Sequence, residues 1–163
     1  MIRTFIAAAA ATVLLTACTN SQSPDIQTPE ERAAAVSETF EKHLPWNSDA
    51  ENVKQGLGGL EYVVLKEGKA DGKSPTAADT VMVHYEGRLP TGEQFDSSFE
   101  RQEPAVFPSN GVIAGWVEAL QIMKPGDRWL VYVPSDLAYG PEGRPGIPPN
   151  APLMFEVELL DVM

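Results

Sequence analysis

Three segments of this chain alternate apolar and polar residues with a period of two, and that period limits what the chain can fold into more than any other feature. Val81, Val83 and Tyr85 share one side of the run from Thr80 to Leu89. Trp129, Val131 and Val133 do the same between Gly126 and Pro134, and Leu153, Phe155, Val157 and Leu159 between Leu153 and Leu160. Successive side chains of a strand point to opposite faces, so each run reads as a strand with one buried and one solvated face, the habit of antiparallel sheets. Leu60 to Lys66, around Tyr62, Val63, Val64 and Leu65, reads as a further strand, and Gly68 to Asp79 as a polar loop. Only Ile113 to Met123 is helical in this part of the chain. Ile113, Trp116, Val117, Leu120 and Met123 fall at helical spacing, and Pro125 and Gly126 stop the run. The class is α+β.

The first 55 residues have a different character. Arg3 precedes an almost purely apolar run from Phe5 to Leu15, too short to span a bilayer and built like an export signal. The residues that follow, Leu15, Thr16, Ala17 and Cys18, resemble a bacterial lipobox, in which the cysteine is acylated and begins the mature protein. We therefore expect a lipoprotein signal peptide over 1–17 and lipidation of Cys18, with the protein exported and lipid-anchored in the cell envelope. The outer membrane or a periplasm-facing site is favoured over the cytoplasm, because Thr19 rather than an aspartate follows the cysteine. Residues 18–27 are polar and read as a flexible tether. Thr28, Pro29 and Glu31 then mark a helix start, expected to run to Lys42 or His43. Ala33, Val36, Phe40 and Leu44 make one narrow apolar stripe on it. The stripe is expected to pack on the chain's own domain in preference to a second copy. A glycine-marked connection from Asn47 to Gly59 follows, so the expected organisation is helix and linker over 28–55 and a catalytic domain over 56–163.

Charge and cysteine content exclude several functions. A formal net charge of -11 repels phosphate backbones, so no nucleic-acid partner is expected. One cysteine cannot form an intramolecular disulfide, and two histidines without a carboxylate cluster at ligand spacing do not suggest a metal site.

The strand ending in His84, Tyr85, Glu86, Gly87, Arg88 and Leu89 runs on through Gly92 to Phe95, Asp96, Ser97 and Ser98. Val112, Ile113, Gly115 and Trp116 follow, then Leu137, Ala138, Tyr139 and Gly140, then Gly146, Ile147, Pro148 and Pro149. From about Gly56 to the end, these motifs in this order closely resemble the FKBP-type peptidyl-prolyl cis-trans isomerases. The resemblance implies a curved antiparallel sheet wrapped around one short helix and a cofactor-free isomerase acting on proline-containing polypeptides, with immunosuppressant macrolides as possible ligands. It leaves the oligomeric state open. It assigns Tyr85, Phe155, Asp96 and Tyr139 to catalysis, and Phe95, Phe107, Ile113, Trp116 and Ile147 to substrate binding. The family reading places Tyr85, Phe95 and Phe155 on the walls of an apolar pocket, Trp116 on its floor, and the Ile113 amide and the Tyr139 hydroxyl against substrate carbonyls. From pattern alone, Phe95, Phe155 and Trp116 would be core residues, Asp96 a turn residue and His84 structural. The chain departs from the best-known eukaryotic members in having Ala105 where they have a pocket-edge aromatic, and one aliphatic residue, Ile147, where they have two. Arg144 places a permanent cation where they carry an imidazole.

Overall fold

The computed structural model describes residues 28–163, so the expected signal, tether and lipidation site at Cys18 lie outside the described residues. The first element is α1, Pro29–His43, capped as the sequence predicts: the Thr28 hydroxyl accepts from the Glu31 N–H while the Glu31 carboxylate accepts from the Thr28 N–H. Seven strands follow: β1 (Lys54–Gln55), β2 (Glu61–Lys66), β3 (Thr80–Arg88), β4 (Gln94–Ser97), β5 (Ala105–Pro108), β6 (Arg128–Val133) and β7 (Leu153–Val162). Helix α2, Ala114–Ile122, lies between β5 and β6. The strands form one antiparallel sheet in the order β1-β2-β6-β7-β3-β4, and β5 pairs with β3 alongside β4.

The inward faces read from alternation are the faces that meet α2. Val81, Val83, Tyr85, Trp129, Val131, Val133, Leu153, Phe155, Val157 and Leu159 join Trp116, Ala119 and Leu120 of the helix in one buried cluster. Gly115 lets α2 come close to β6, because a Cβ there would sit 2.5 Å from a Val133 methyl.

The opposite face is where the structure departs from the alternating pattern. It is not solvated, because α1 lies across it: Val36 and Phe40 pack with Val63, Phe99, Leu130 and Met154 in a second buried cluster. The helix thus packs on its own domain, as expected, but with a shifted stripe. Ala33 is exposed, and Arg32 turns inward, its guanidinium over the Phe99 ring and paired with Glu158. The covered strand positions include charges. Glu86 and Glu156 are buried, Arg88 pairs with Glu86 and lies over the Phe40 ring, and Arg128 pairs with Glu156. Burial pushes the Glu156 carboxyl above its ordinary value, against the pull of Arg128.

Three short strands were not visible as strands in the sequence. The connection from Asn47 to Gly59 contributes β1 to the sheet edge, the motif around Phe95 and Asp96 is β4, and Ala105 to Pro108 is β5. His84 is structural, as expected: its ring stacks on Phe99 and its Nδ1 lies 2.9 Å from the Ser98 hydroxyl.

Candidate functional site

Where β3, β4, β5 and β7 curl over the N-terminal end of α2, they leave a cavity of about 430 Å³. Tyr85 enters it from β3, Phe95 and Asp96 from β4, Phe107 from β5 and Phe155 from β7. Ile113 and Trp116 come from the start of α2, and Tyr139 from the turn after β6.

The rings are fixed by edge contacts. Trp116 is the hub, meeting Tyr85 at 5.2 Å between centroids and 88°, Phe155 at 5.3 Å and 81°, and Phe107 at 6.1 Å and 85°. Phe95 adds a perpendicular contact with Phe155 at 5.6 Å. Such arrangements place the positive edge of one ring on the negative face of another, each worth about 0.5 to 1.5 kcal/mol beyond burial. The contact between Phe95 and Phe155 needs Gly87, which the β3 register sets directly opposite Asp96 and Phe155. A Cβ at that position would lie 2.5 Å from the Phe95 ring and 2.8 Å from the Phe155 ring.

Asp96 is the polar centre of this apolar site. The Tyr85 hydroxyl donates to one carboxylate oxygen at 2.6 Å and the Arg101 guanidinium donates to the other at 2.5 Å. Arg101 also donates to the Tyr85 oxygen at 3.1 Å, closing a triangle of three side chains. Burial alone would push the Asp96 carboxyl up, but the hydrogen bonds from Tyr85 and Arg101, with the charge of Arg101, outweigh it and hold the group below its ordinary value. Burial and the hydrogen bond to Asp96 push the Tyr85 phenol up. At neutral pH the site therefore holds an anionic carboxylate, a neutral phenol and a cation.

Two N–H groups of residues that line the cavity are left without a partner among the described residues. Ile113 is the N-cap residue of α2, and its N–H has no backbone acceptor among the described residues. The Trp116 indole N–H is buried at the floor and also has no partner among the described residues. The Arg144 guanidinium lies over the Tyr139 ring, 4.5 Å from its centroid, at the mouth of the cavity.

Of the nine residues that the resemblance assigned to catalysis and binding, the structure brings eight to this cavity: Tyr85, Phe95, Asp96, Phe107, Ile113, Trp116, Tyr139 and Phe155. Ile147 is not among them. It is buried in the core cluster and borders a separate shallow depression beside Pro148 and Pro149. Two residues that shape the site, Arg101 and Gly87, were not assigned to it. Arg101 matches a basic residue of the family it resembles but received no role, because a lone arginine in a polar stretch looks like any solvated charge. Gly87 did give a signal, a glycine inside a strand, which marks a bulge or a close approach.

Comparison with known proteins gives this geometry a context. A model of the family described as FKBP-type peptidyl-prolyl cis-trans isomerase matches residues 72–160. A peptidyl-prolyl cis-trans isomerase Mip of Coxiella burnetii is 52% identical over 120 residues, which cover 73% of this chain and 51% of that protein. An FKBP-type 22 kDa peptidyl-prolyl cis-trans isomerase of Escherichia coli is 44% identical over 134 residues, covering 82% of this chain and 64% of the relative. The chain thus spans about half to two thirds of the length of these relatives. The crystal structure of FkpA from Escherichia coli superposes with a TM-score of 0.67 at 42% identity, over 82% of this chain and 59% of that one. A peptidyl-prolyl cis-trans isomerase from Pseudomonas syringae superposes with a TM-score of 0.66 at 38% identity, over 84% of this chain and 98% of its own.

Proposed function

This chain belongs to the FKBP-type peptidyl-prolyl cis-trans isomerase family, and from that we propose that it catalyses rotation about the bond preceding proline in exported polypeptides. The observation that carries the reading is the pairing of an aromatic cavity with one ionised carboxylate, each of whose oxygens accepts a side-chain hydrogen bond.

The barrier to that rotation is about 18 to 20 kcal/mol, because resonance between nitrogen and carbonyl holds the amide planar. No bond is made or broken, so the catalyst needs neither nucleophile nor redox group. It must bind the twisted amide better than either planar form. Twisting removes the resonance and with it much of the charge separation of the planar amide. A wall of Tyr85, Phe95, Phe107 and Phe155, which takes water away from the carbonyl, therefore disfavours the planar state relative to the twisted one. The proline ring rests on Trp116. The Ile113 N–H and the Tyr139 hydroxyl hold carbonyls of the flanking peptide, and Asp96 stabilises the twisted segment electrostatically, with Arg101 and Tyr85 fixing its orientation. Uncatalysed isomerisation takes tens to hundreds of seconds, long enough to limit folding outside the cytoplasm, where a catalyst that needs no ATP is suited to the task. Macrolides that fill an aromatic cavity of this kind are the expected inhibitors.

The organisation we propose places an isomerase domain over 56–163 behind a helix and linker over 28–55, held to the cell envelope through lipidated Cys18 and a tether over 18–27. Several acyl chains, each methylene worth about 0.8 kcal/mol on burial, anchor such a chain firmly. Metabolic labelling with a fatty-acid analogue should mark the wild-type protein and not Cys18→Ser.

The activity is tested by refolding a protein whose slow phase is prolyl isomerisation. Substoichiometric amounts of this protein should shorten that phase, and a macrolide should restore it. An unchanged rate, with retardation only at stoichiometric amounts, would instead make the cavity a binding module for unfolded chains.

A further inference from the structure

One cation, Arg144, lines the cavity and a second, Arg101, pairs with residues that line it, and the two differ in what holds them. Arg101 is committed to Asp96 and Tyr85. Arg144 is exposed and, among the described residues, makes no ion pair and no side-chain hydrogen bond. What positions it is the Tyr139 ring beneath its guanidinium. That attraction is between a cation and a π-face, so it consumes none of the five N–H donors of the guanidinium. Arg144 borders both the aromatic cavity and the shallower depression next to it, where Glu93 and Glu142 also lie, and neither carboxylate closes an ion pair with it. A fork of donors is thus held where the two depressions meet, while the cation beside Asp96 is already neutralised.

Building on the isomerase reading, we propose that Arg144 determines substrate specificity by favouring polypeptides that carry an aspartate or glutamate beside the proline. A planar guanidinium matches a carboxylate with two parallel hydrogen bonds, which a lysine does not reproduce. The formal net charge of -11 works against anionic peptides at long range, so the preference is local and depends on where the acid sits.

The test uses three peptides, with glutamate adjacent to the proline, with the same glutamate moved several residues away, and with glutamine in the adjacent position. Both kcat/KM, by NMR exchange, and affinity, by titration, are measured for the wild type, Arg144→Gln and Arg144→Lys. The adjacent-glutamate peptide should exceed the distant one by about two- to fivefold, the range of exposed ion pairs. Arg144→Gln should bring that ratio to one, and Arg144→Lys should keep part of it. A ratio of one in the wild type would overturn the proposal. So would a uniform drop for all peptides in Arg144→Gln, the result if Arg144 only braces Tyr139. If no peptide is accelerated yet affinity keeps the adjacent preference and loses it in Arg144→Gln, the isomerase reading fails and the recognition role stands.

Discussion

At the scale of single residues, Asp96 is held ionised by partners that have little other reason to meet. Its folded pKa lies below its unfolded value, so its contribution is fully present above the ordinary carboxylate range and is lost as pH falls through the lowered folded value. Peptide binding should therefore be flat from neutral pH down through the normal range of aspartate titration and fall only below it, which a binding titration at stepped pH reads directly. Arg101→Gln removes two hydrogen bonds and the charge, and should bring that fall to higher pH. Gly87→Ala is a second residue-scale test. The added methyl meets both rings at distances that require them to move, so it should cost about 1 to 3 kcal/mol of stability in urea melts and lower kcat/KM as well. Asp96 illustrates the limit of sequence reading at this scale. Before Ser97 and Ser98 it fits a turn residue as well as a site residue, and only the triangle with Tyr85 and Arg101 separates the two.

At the scale of elements, the long strands were legible because one face of each buries apolar residues without interruption. The short ones were not: β1 has two residues, and β4 and β5 have four each, with Pro108 at the end of β5. Such lengths carry too few alternations to stand out from turns. The polar face of β3 and β7 misled for a physical reason. Glu86, Arg88 and Glu156 follow the pattern of a solvated face, yet Glu86 is paired with Arg88 and Glu156 with Arg128, and they lie under α1. A helix of fifteen residues is marginal alone, so α1 depends on this packing. Phe40→Ala should destabilise the whole domain by about 3 to 5 kcal/mol, measured by denaturant unfolding. Arg128→Met should cost about 3 kcal/mol or more at neutral pH, because it leaves the buried Glu156 carboxylate unpaired. The sign of its pH dependence follows from the raised folded pKa of Glu156: the penalty disappears as pH falls and that carboxyl takes up its proton. The variant should therefore lie closer to wild type in acid solution than at neutral pH.

At the scale of the whole molecule, the sheet divides the labour between its faces. One face holds α2 and the cavity, while the other holds α1, through which the chain connects to its N-terminal residues. The family was legible because its motifs occur in order along the chain, and eight of nine assigned residues meet in one cavity. Ile147 lies apart from the other eight because a motif gives neighbours in sequence, whereas in the folded chain its side chain is buried in the core cluster. The central claim, that this cavity accelerates rotation about the Xaa-Pro bond, is tested most directly by NMR exchange between cis and trans forms of a proline peptide. The measurement uses the chain from Thr19 onward beside Asp96→Ala and Tyr139→Phe. The account predicts exchange that is fast in the wild type, slower by roughly ten- to hundredfold without the charged hydrogen-bonding group of Asp96, and slower by about two- to tenfold without the Tyr139 hydroxyl. Peptide binding with exchange no faster than in buffer would contradict it.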